Sequence, residues 1–224
     1  MHTERQIMAE FVEGDWGEFA FKMIDQSMAP AVMQHLRKNF YLDEPLLKLI
    51  GLSELAASEL DAVATRILED NLSFAAIEKN TGKIAGVRVT GRPKKGHKAS
   101  VNIQSREFQM VSKFLGSVEK QVDLFDTFGV EEYADLHFAS IDKDFRGQGL
   151  ASEMYNRAIS LLKGLNFKLA KSSFTSPFTR KISTKLGFEQ IAIKYFREIE
   201  DENGTYPYSH LPNDEFVSVR ILRL

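Results

Sequence analysis

In the stretch from Asp142 to Ser152, Asp-Lys-Asp-Phe-Arg-Gly-Gln-Gly-Leu-Ala-Ser, a predicted strand gives way to a predicted helix. The preceding residues alternate from Tyr133 to Ile141, as strands do, and apolar residues after Leu150 recur at helical spacing. The two glycines allow a tight bend and leave main-chain N–H groups open to a ligand. Because a helix N-terminus carries unpaired donors and a partial positive charge, this turn is predicted to bind a phosphate.

The same residues allow other interpretations of the turn. A plain structural turn stays open, since glycine-containing turns are common between strands and helices. A dinucleotide-binding fingerprint fits poorly, because its last glycine is missing and the turn comes late in the chain. A P-loop is excluded, because no Gly-Lys-Ser/Thr follows. Arg146 at the lip of the turn would add charged donors to a bound phosphate.

The sequence Arg-Gly-Gln-Gly-Leu-Ala at 146–151 resembles the Gln/Arg-x-x-Gly-x-Gly/Ala signature of the Gcn5-related N-acetyltransferase superfamily. The stretch from Phe178 to Phe188 is similar to that family's later helix, which ends in Lys-Leu-Gly-Phe. The resemblance implies an α/β fold with a mixed, mostly antiparallel central sheet of about seven strands flanked by helices. It also implies acetyl-CoA in the splay between the central strands, with its acetyl carbonyl near a backbone N–H of Ser140 or Ile141. The residues implied to hold the pyrophosphate are Arg146, Gly147, Gln148, Gly149, Leu150 and Ala151.

Length and charge limit the remaining possibilities. The 224 residues predict one domain spanning 1–224, with residues 1–15 as a possible tail and 92–130 as a possible inserted helix or lid. The net charge of −2 argues against a nucleic-acid partner. No apolar run reaches the roughly 18 residues of a membrane span, and the N-terminus lacks a signal-peptide layout, so a cytoplasmic protein is expected. The basic run 92–98 is a solvated loop or a contact for a CoA phosphate.

The residue types that are missing also inform the chemistry. Without cysteine there is no disulfide, no thiolate metal site and no cysteine to carry an acyl group. The five histidines have no metal-ligand spacing, so we expect no metal. Direct attack by the acceptor within a ternary complex is then the simpler route for acetyl transfer.

Two carboxylates stand at the predicted end of an early helix, in Asp43-Glu44-Pro45-Leu46. An amine arrives mostly as an ammonium ion, and a base must remove its proton before it can attack a carbonyl. A carboxylate can do this and can also attract the cation. A solvated corner is the alternative interpretation of the same residues.

The segment from Phe40 to Leu46 resembles the invertebrate-type arylalkylamine N-acetyltransferases, which carry an aromatic-rich segment and an Asp-Glu-Pro-Leu motif. The resemblance implies that Glu44 is the general base. It also implies two hydroxyls four residues apart, at Thr175 and Thr179, where that family has serine. A helix N-cap at Thr175 or Ser176 is the structural alternative.

Two further positions bear on proton transfer. Many superfamily members have a tyrosine acid before the Lys-Leu-Gly-Phe end, where this chain has Ser183. A hydroxyl or a water would then protonate the CoA sulfur. Asp135 and His137 project from one face of the central strand. Vertebrate-type arylalkylamine enzymes have a His-x-His there, so His137 is a second candidate base, with a packed histidine as the alternative.

The acceptor pocket is predicted to be aromatic and to suit a flat aryl ring. Its predicted lining is Phe40, Tyr41, Asp43, Phe174 and Phe178. The resemblance thus implies acetyl transfer from acetyl-CoA to a small-molecule monoamine such as dopamine, tyramine, octopamine or serotonin. Three alternatives stay open: acetylation of a polyamine, an amino sugar or a protein N-terminus, a silent acetyl-CoA sensor, or a scaffold without cofactor.

Overall fold

The computed structural model of this protein describes residues 4–97 and 102–224. The helices are α1 Glu4–Val12, α2 Ala29–His35, α3 Tyr41–Asp43, α4 Pro45–Ile50, α5 Glu54–Leu68, α6 Arg106–Glu119, α7 Leu124–Phe128, α8 Leu150–Gly164 and α9 Pro177–Lys185. The strands are β1 Gly14–Trp16, β2 Phe19–Met23, β3 Phe74–Glu78, β4 Ile84–Gly91, β5 Ala134–Ile141, β6 Leu169–Phe174, β7 Glu189–Tyr195 and β8 Phe216–Arg223. Lys98, at the end of the predicted basic run, lies outside the described residues.

The strands form one sheet in the order β1-β2-β3-β4-β5-β6-β8-β7, eight strands in the part of the chain described. Only β5 and β6 pair in parallel, and the other neighbours are antiparallel. The mixed, mostly antiparallel sheet is therefore confirmed. The strand beyond the expected seven is β1, whose three residues are too few to show an alternating pattern.

Each face of the sheet is covered by helices. On one face α8 packs its residues Leu150, Met154, Ala158 and Leu161 into the core, as the helical spacing predicts. Helix α1 lies beside α8 and buries Val12, although residues 1–15 gave no clear pattern in the sequence. The opposite face is covered by α2, α5 and α6, which pack on β4, β7 and β8.

A π-helical turn, Leu36–Phe40, joins α2 to α3. Within it the buried Asn39 side chain donates to the carbonyl of His35 at 3.1 Å. Such turns are frequent at functional sites. The chain leaves the helical conformation at Glu44, with ψ 123°, as the residue before a proline must. The helix thus ends where the sequence predicts, directly at the paired carboxylates.

Two central strands separate beyond a short contact. Strands β5 and β6 pair only at Ala134 with Ala170 and at Asp135 with Lys171. One residue further, the Ser172 hydroxyl donates to the carbonyl of Leu136 at 2.7 Å. Past this point no strand in the described part of the chain pairs with the edge of β5 that faces β6. The sheet therefore contains a wedge-shaped opening that leads toward the turn at 146–151.

No helix in the described part of the chain is both long enough and apolar enough to cross a membrane.

Candidate active site

The turn between β5 and α8 has the shape that the two glycines predict. Gly147 has φ +78° and Gly149 φ +85°, in the left-handed region that favours glycine. Before them, Asp142 accepts a hydrogen bond from the Asp144 N–H at 3.1 Å and fixes a single 3-10 turn. Gly149 is the N-cap of α8, and no side chain caps the helix there. The first N–H donors of α8 are therefore free for an anion.

Arg146 connects this turn to the predicted acceptor segment. Its Nη2 lies 2.6 Å from Asp43 Oδ2, and its Nε donates to the carbonyl of Ile141 at 3.0 Å. Both side chains of the ion pair are about half exposed, so the pair is accessible to a charged ligand. The two signatures, about 100 residues apart in the chain, thus meet in space.

Ser140 of β5 makes a hydrogen bond to the last residue of α2. Its buried hydroxyl lies 2.9 Å from Nε2 of His35, which is itself buried. Burial lowers the pKa of His35, so the ring is neutral at neutral pH. This contact ties the helix that leads to Glu44 to the strand that borders the wedge.

The two oxygens of the Glu44 carboxylate differ in their hydrogen bonding. Oε2 accepts a hydrogen bond from the Leu47 N–H at 2.7 Å and so caps α4. Oε1 is buried and makes no hydrogen bond. Burial raises the pKa of Glu44, while the Thr175 hydroxyl and the backbone N–H groups of α4 oppose that rise. A buried carboxylate with a raised pKa and one free oxygen can accept a proton.

Thr175 lies beside Glu44, close enough to affect its ionisation without completing a well-aligned hydrogen bond. The N-cap of α9 is Ser176, whose hydroxyl accepts from the Phe178 N–H at 3.2 Å. The helix therefore does not use the Thr175 hydroxyl. The Thr179 hydroxyl donates to the carbonyl of Ser176 at 3.1 Å.

His137 and Asp135 lie on one face of β5, as their spacing predicts. His137 Nε2 is 3.6 Å from Asp135 Oδ2, the ring packs against Gly91, and the side chain is 32% exposed. Partial desolvation by its neighbours lowers the pKa of His137, and Asp135 acts in the opposite direction. The sheet register shifts here between Val89 and Thr90, so that β5 bulges at His137.

A buried lysine that was not among the predicted site residues, Lys171, contacts Asp135. The ammonium of Lys171 bonds to Asp135 Oδ2 at 2.8 Å and to Glu119 of α6. Burial opposes its charge, but the two carboxylates together raise the pKa of Lys171, so the ammonium stays charged. Lys171 is 3% exposed, against 43% for Glu119. The sequence signal that could have indicated Lys171 is the alternation of polar residues at 171, 173 and 175, along β6 and directly after it.

The aromatic residues predicted to line the acceptor pocket lie in different environments in the structure. Phe40 packs on Phe138 with ring centroids 5.0 Å apart. Tyr41 is buried and donates its hydroxyl to Asp61 at 2.8 Å. Phe174 lies on the other face of β6 from Thr175, in the core with Tyr155 and Phe188. Phe178 is 81% exposed.

Ser183, at the position of the family's tyrosine, is fully buried in α9. Its hydroxyl donates to the carbonyl of Arg180 at 2.8 Å and accepts from Arg220 at 3.0 Å. The first bond lies within α9 and the second ties α9 to β8, so the Ser183 hydroxyl is occupied by structural contacts. Among the described residues, no group of three or more histidines and carboxylates is arranged to hold a metal ion.

Comparison with solved structures finds extensive similarity. Arylalkylamine N-acetyltransferase 2 from Aedes aegypti shares 26% identity and superposes with a TM-score of 0.81, covering 92% of this chain and 98% of that one. A mosquito arylalkylamine N-acetyltransferase like 5b shares 20% identity at a TM-score of 0.80, with 92% and 100% covered. A Drosophila melanogaster polyamine N-acetyltransferase, described as forming N-acetylagmatine, shares 19% at 0.75, with 92% and 100% covered. No protein-family model matches the chain.

The fold is that of the Gcn5-related N-acetyltransferase superfamily, which confirms the predicted fold class. Within that superfamily the chain resembles the insect arylalkylamine N-acetyltransferases, as the sequence motifs indicated. The similarity supports acetyl transfer by an enzyme of this superfamily.

Proposed function

We propose that this protein transfers the acetyl group of acetyl-CoA to the primary amine of an arylalkylamine, by direct attack in a ternary complex. The observation that carries the proposal is the Glu44 carboxylate. It is buried, its Oε1 has no partner, and it lies in the segment that Arg146 joins to the glycine turn. A buried orphan oxygen is costly, and an ammonium group bound there would satisfy it.

Acetyl-CoA is the cosubstrate that the turn and the wedge would hold. The N–H groups of the turn and of the first helical turn of α8 would bind its pyrophosphate, with Arg146 adding charged donors. The pantetheine amides would lie along the free edge of β5 in the wedge. A main-chain N–H near Ser140 or Ile141 would stabilise the oxygen of the acetyl group as negative charge develops on it.

The chemistry then needs one base and one acid. Glu44 takes a proton from the ammonium, directly or through a water, and the free amine attacks the thioester carbonyl. The tetrahedral intermediate collapses, the C–S bond breaks, and the thiolate of CoA takes up a proton. The Thr175 hydroxyl, the side-chain donor beside Glu44, would orient the amine or donate to that thiolate. Its position beside Glu44 supports Glu44 over His137 as the base.

The test is a thiol-release assay with purified protein, acetyl-CoA and a panel of amines. We expect release of CoA with tyramine, dopamine, octopamine or serotonin, and formation of the matching N-acetyl product. Release only with polyamines, amino sugars or peptides would overturn the arylalkylamine assignment. Tight acetyl-CoA binding without turnover of any acceptor would identify a sensor instead.

A further inference from the structure

One face of β6 carries the polar side chains of Lys171 and Ser173, and Thr175, the residue directly after the strand, extends this strip. The Ser173 hydroxyl lies 3.4 Å from Glu119, the same carboxylate that binds Lys171. At about 3.3 Å per residue the strip spans roughly 13 Å from Lys171 to Thr175. One end lies beside Glu44, and the other lies where β5 and β6 begin to separate.

A cavity of about 370 Å³ opens at the Lys171 end, between α6, α7 and the strands β6, β7 and β8. Most of its wall is apolar, and Phe125 and Tyr133 lie in it with their rings 5.2 Å apart. Its four charged lining residues are Glu119, Lys120, Asp123 and Lys171, two of each sign. Such a wall suits an uncharged ring and offers a second cation no net attraction.

One of the three N–H donors of the Lys171 ammonium has no acceptor among the described residues. A lysine carries three N–H donors, and Asp135 and Glu119 take two of them. The part of the chain described here supplies no third acceptor to this buried group. A hydroxyl oxygen on a ligand in the cavity would accept that third N–H, whereas an ammonium or guanidinium group would offer only further donors.

We infer that Lys171 is a specificity residue, which selects acceptors whose aryl ring bears a hydroxyl and disfavours acceptors with a second cationic group. The inference rests on the proposed function, in which the amine binds between Glu44 and Thr175. The ring then lies along the polar strip, and its hydroxyl accepts from Lys171 in the cavity. Polyamines and agmatine would have to place a second positive charge against the same ammonium.

The experiment compares kcat/KM for tyramine, phenethylamine and agmatine on one protein sample, so that the active fraction cancels in each ratio. Wild type is expected to favour tyramine over both others by about tenfold or more. In Lys171→Met the preference for tyramine over phenethylamine should fall about tenfold, and agmatine should gain relative to tyramine. Lys113→Met removes the same charge from an exposed position of α6 outside the cavity lining and should leave both ratios within about twofold.

Removing Lys171 leaves the Asp135 carboxylate buried without its cation, so the single variant can lose its fold. The double variant Lys171→Met, Asp135→Asn removes both charges and is expected to give the same ratios in a folded protein. Unchanged tyramine-to-phenethylamine ratios in these variants, or a wild type that prefers agmatine, would overturn the inference while leaving acetyl transfer intact. A wild type that acetylates no amine would instead overturn the proposed function.

Discussion

The two halves of the candidate site are built in different ways. The cofactor half comes from consecutive residues, 142–151, and presents main-chain N–H groups in a turn with two left-handed glycines. The acceptor half brings together side chains that are distant in the sequence. They are Glu44 at the N-cap of α4, Thr175 directly after β6, and charged residues of β5, β6 and α6. The first half depends on backbone shape, and the second depends on buried charges that must be compensated.

This difference predicts which half of the candidate site tolerates amino-acid substitution. Main-chain donors are present whatever the side chains are, so the turn tolerates most substitutions except those at its glycines. Buried ionised groups are held by a few specific partners, and each change alters charge balance and shape together. We therefore expect acceptor choice to respond to single substitutions, while cofactor binding stays nearly constant.

The largest expected effect is the loss of kcat in Glu44→Gln. The amide cannot take a proton from the ammonium, so kcat should fall by about 10²- to 10³-fold. The dissociation constant for acetyl-CoA, measured by calorimetry, should change less than about threefold, since the turn is untouched. Thiol release under saturating substrate gives kcat.

A matched control is Glu54→Gln, which neutralises an exposed carboxylate at the start of α5. It should leave kcat near the wild-type value. If Glu44→Gln turns over as fast as Glu54→Gln, the base lies elsewhere, and His137 becomes the candidate to test.

A second pair of variants tests the cofactor half. Gly147→Ala and Gly82→Ala both force alanine into a left-handed conformation, at φ +78° and +71°, with no atom within 4 Å of the added Cβ. Each should cost about 1–2 kcal/mol in the free energy of unfolding. Only Gly147→Ala should weaken acetyl-CoA binding, by about tenfold or more, because its Cβ enters the turn that would hold the pyrophosphate.

Equal acetyl-CoA affinities for these two variants would show that the turn does not bind the cofactor. Calorimetric titration with acetyl-CoA and thermal unfolding of both proteins supply the comparison.

A smaller effect is expected at Thr175. Thr175→Ala removes the hydroxyl beside Glu44 and should lower kcat about tenfold. Thr175→Ser keeps the hydroxyl and should stay within about threefold of wild type. If the two variants behave alike, the methyl group rather than the hydroxyl matters, and Thr175 has a packing role only.

The smallest effect concerns stability and pH. Burial raises the pKa of Glu44 in the folded protein above its value in the unfolded chain. As pH rises, the unfolded chain ionises first, so ionised Glu44 destabilises the fold above the ordinary glutamate pKa of about 4.3. Glu44→Gln should therefore gain more stability relative to wild type at pH 7 than at pH 4, as denaturant unfolding at both values would measure. The same difference at both pH values would mean that the carboxyl is not perturbed.

Much of the cofactor half could be predicted from the sequence. A strand pattern, two glycines, an arginine and a helical pattern are all local signals, and the turn, α8 and the two glycine conformations follow from them. The end of the helical segment at Glu44 was also predictable, because Pro45 restricts the residue before it.

The acceptor half could be predicted only in part. Asp135 and His137 share a face because strand spacing requires it, but their contact with Lys171 depends on how β5 and β6 are paired. The same alternation along β6 places Phe174 in the core, on the opposite side from Thr175, and not in the predicted acceptor pocket. Glu119 is the last residue of α6, and no local pattern indicates where that helix packs.

The central claim is that the wedge presents a thioester to an amine held at Glu44. A crystal structure of the protein with CoA and tyramine tests it most directly. We predict the pyrophosphate on the N–H groups of the 146–151 turn, and the tyramine nitrogen within about 3.2 Å of Glu44 Oε1 or one water away. A cofactor bound outside the wedge, or an amine nitrogen far from Glu44, would contradict the account.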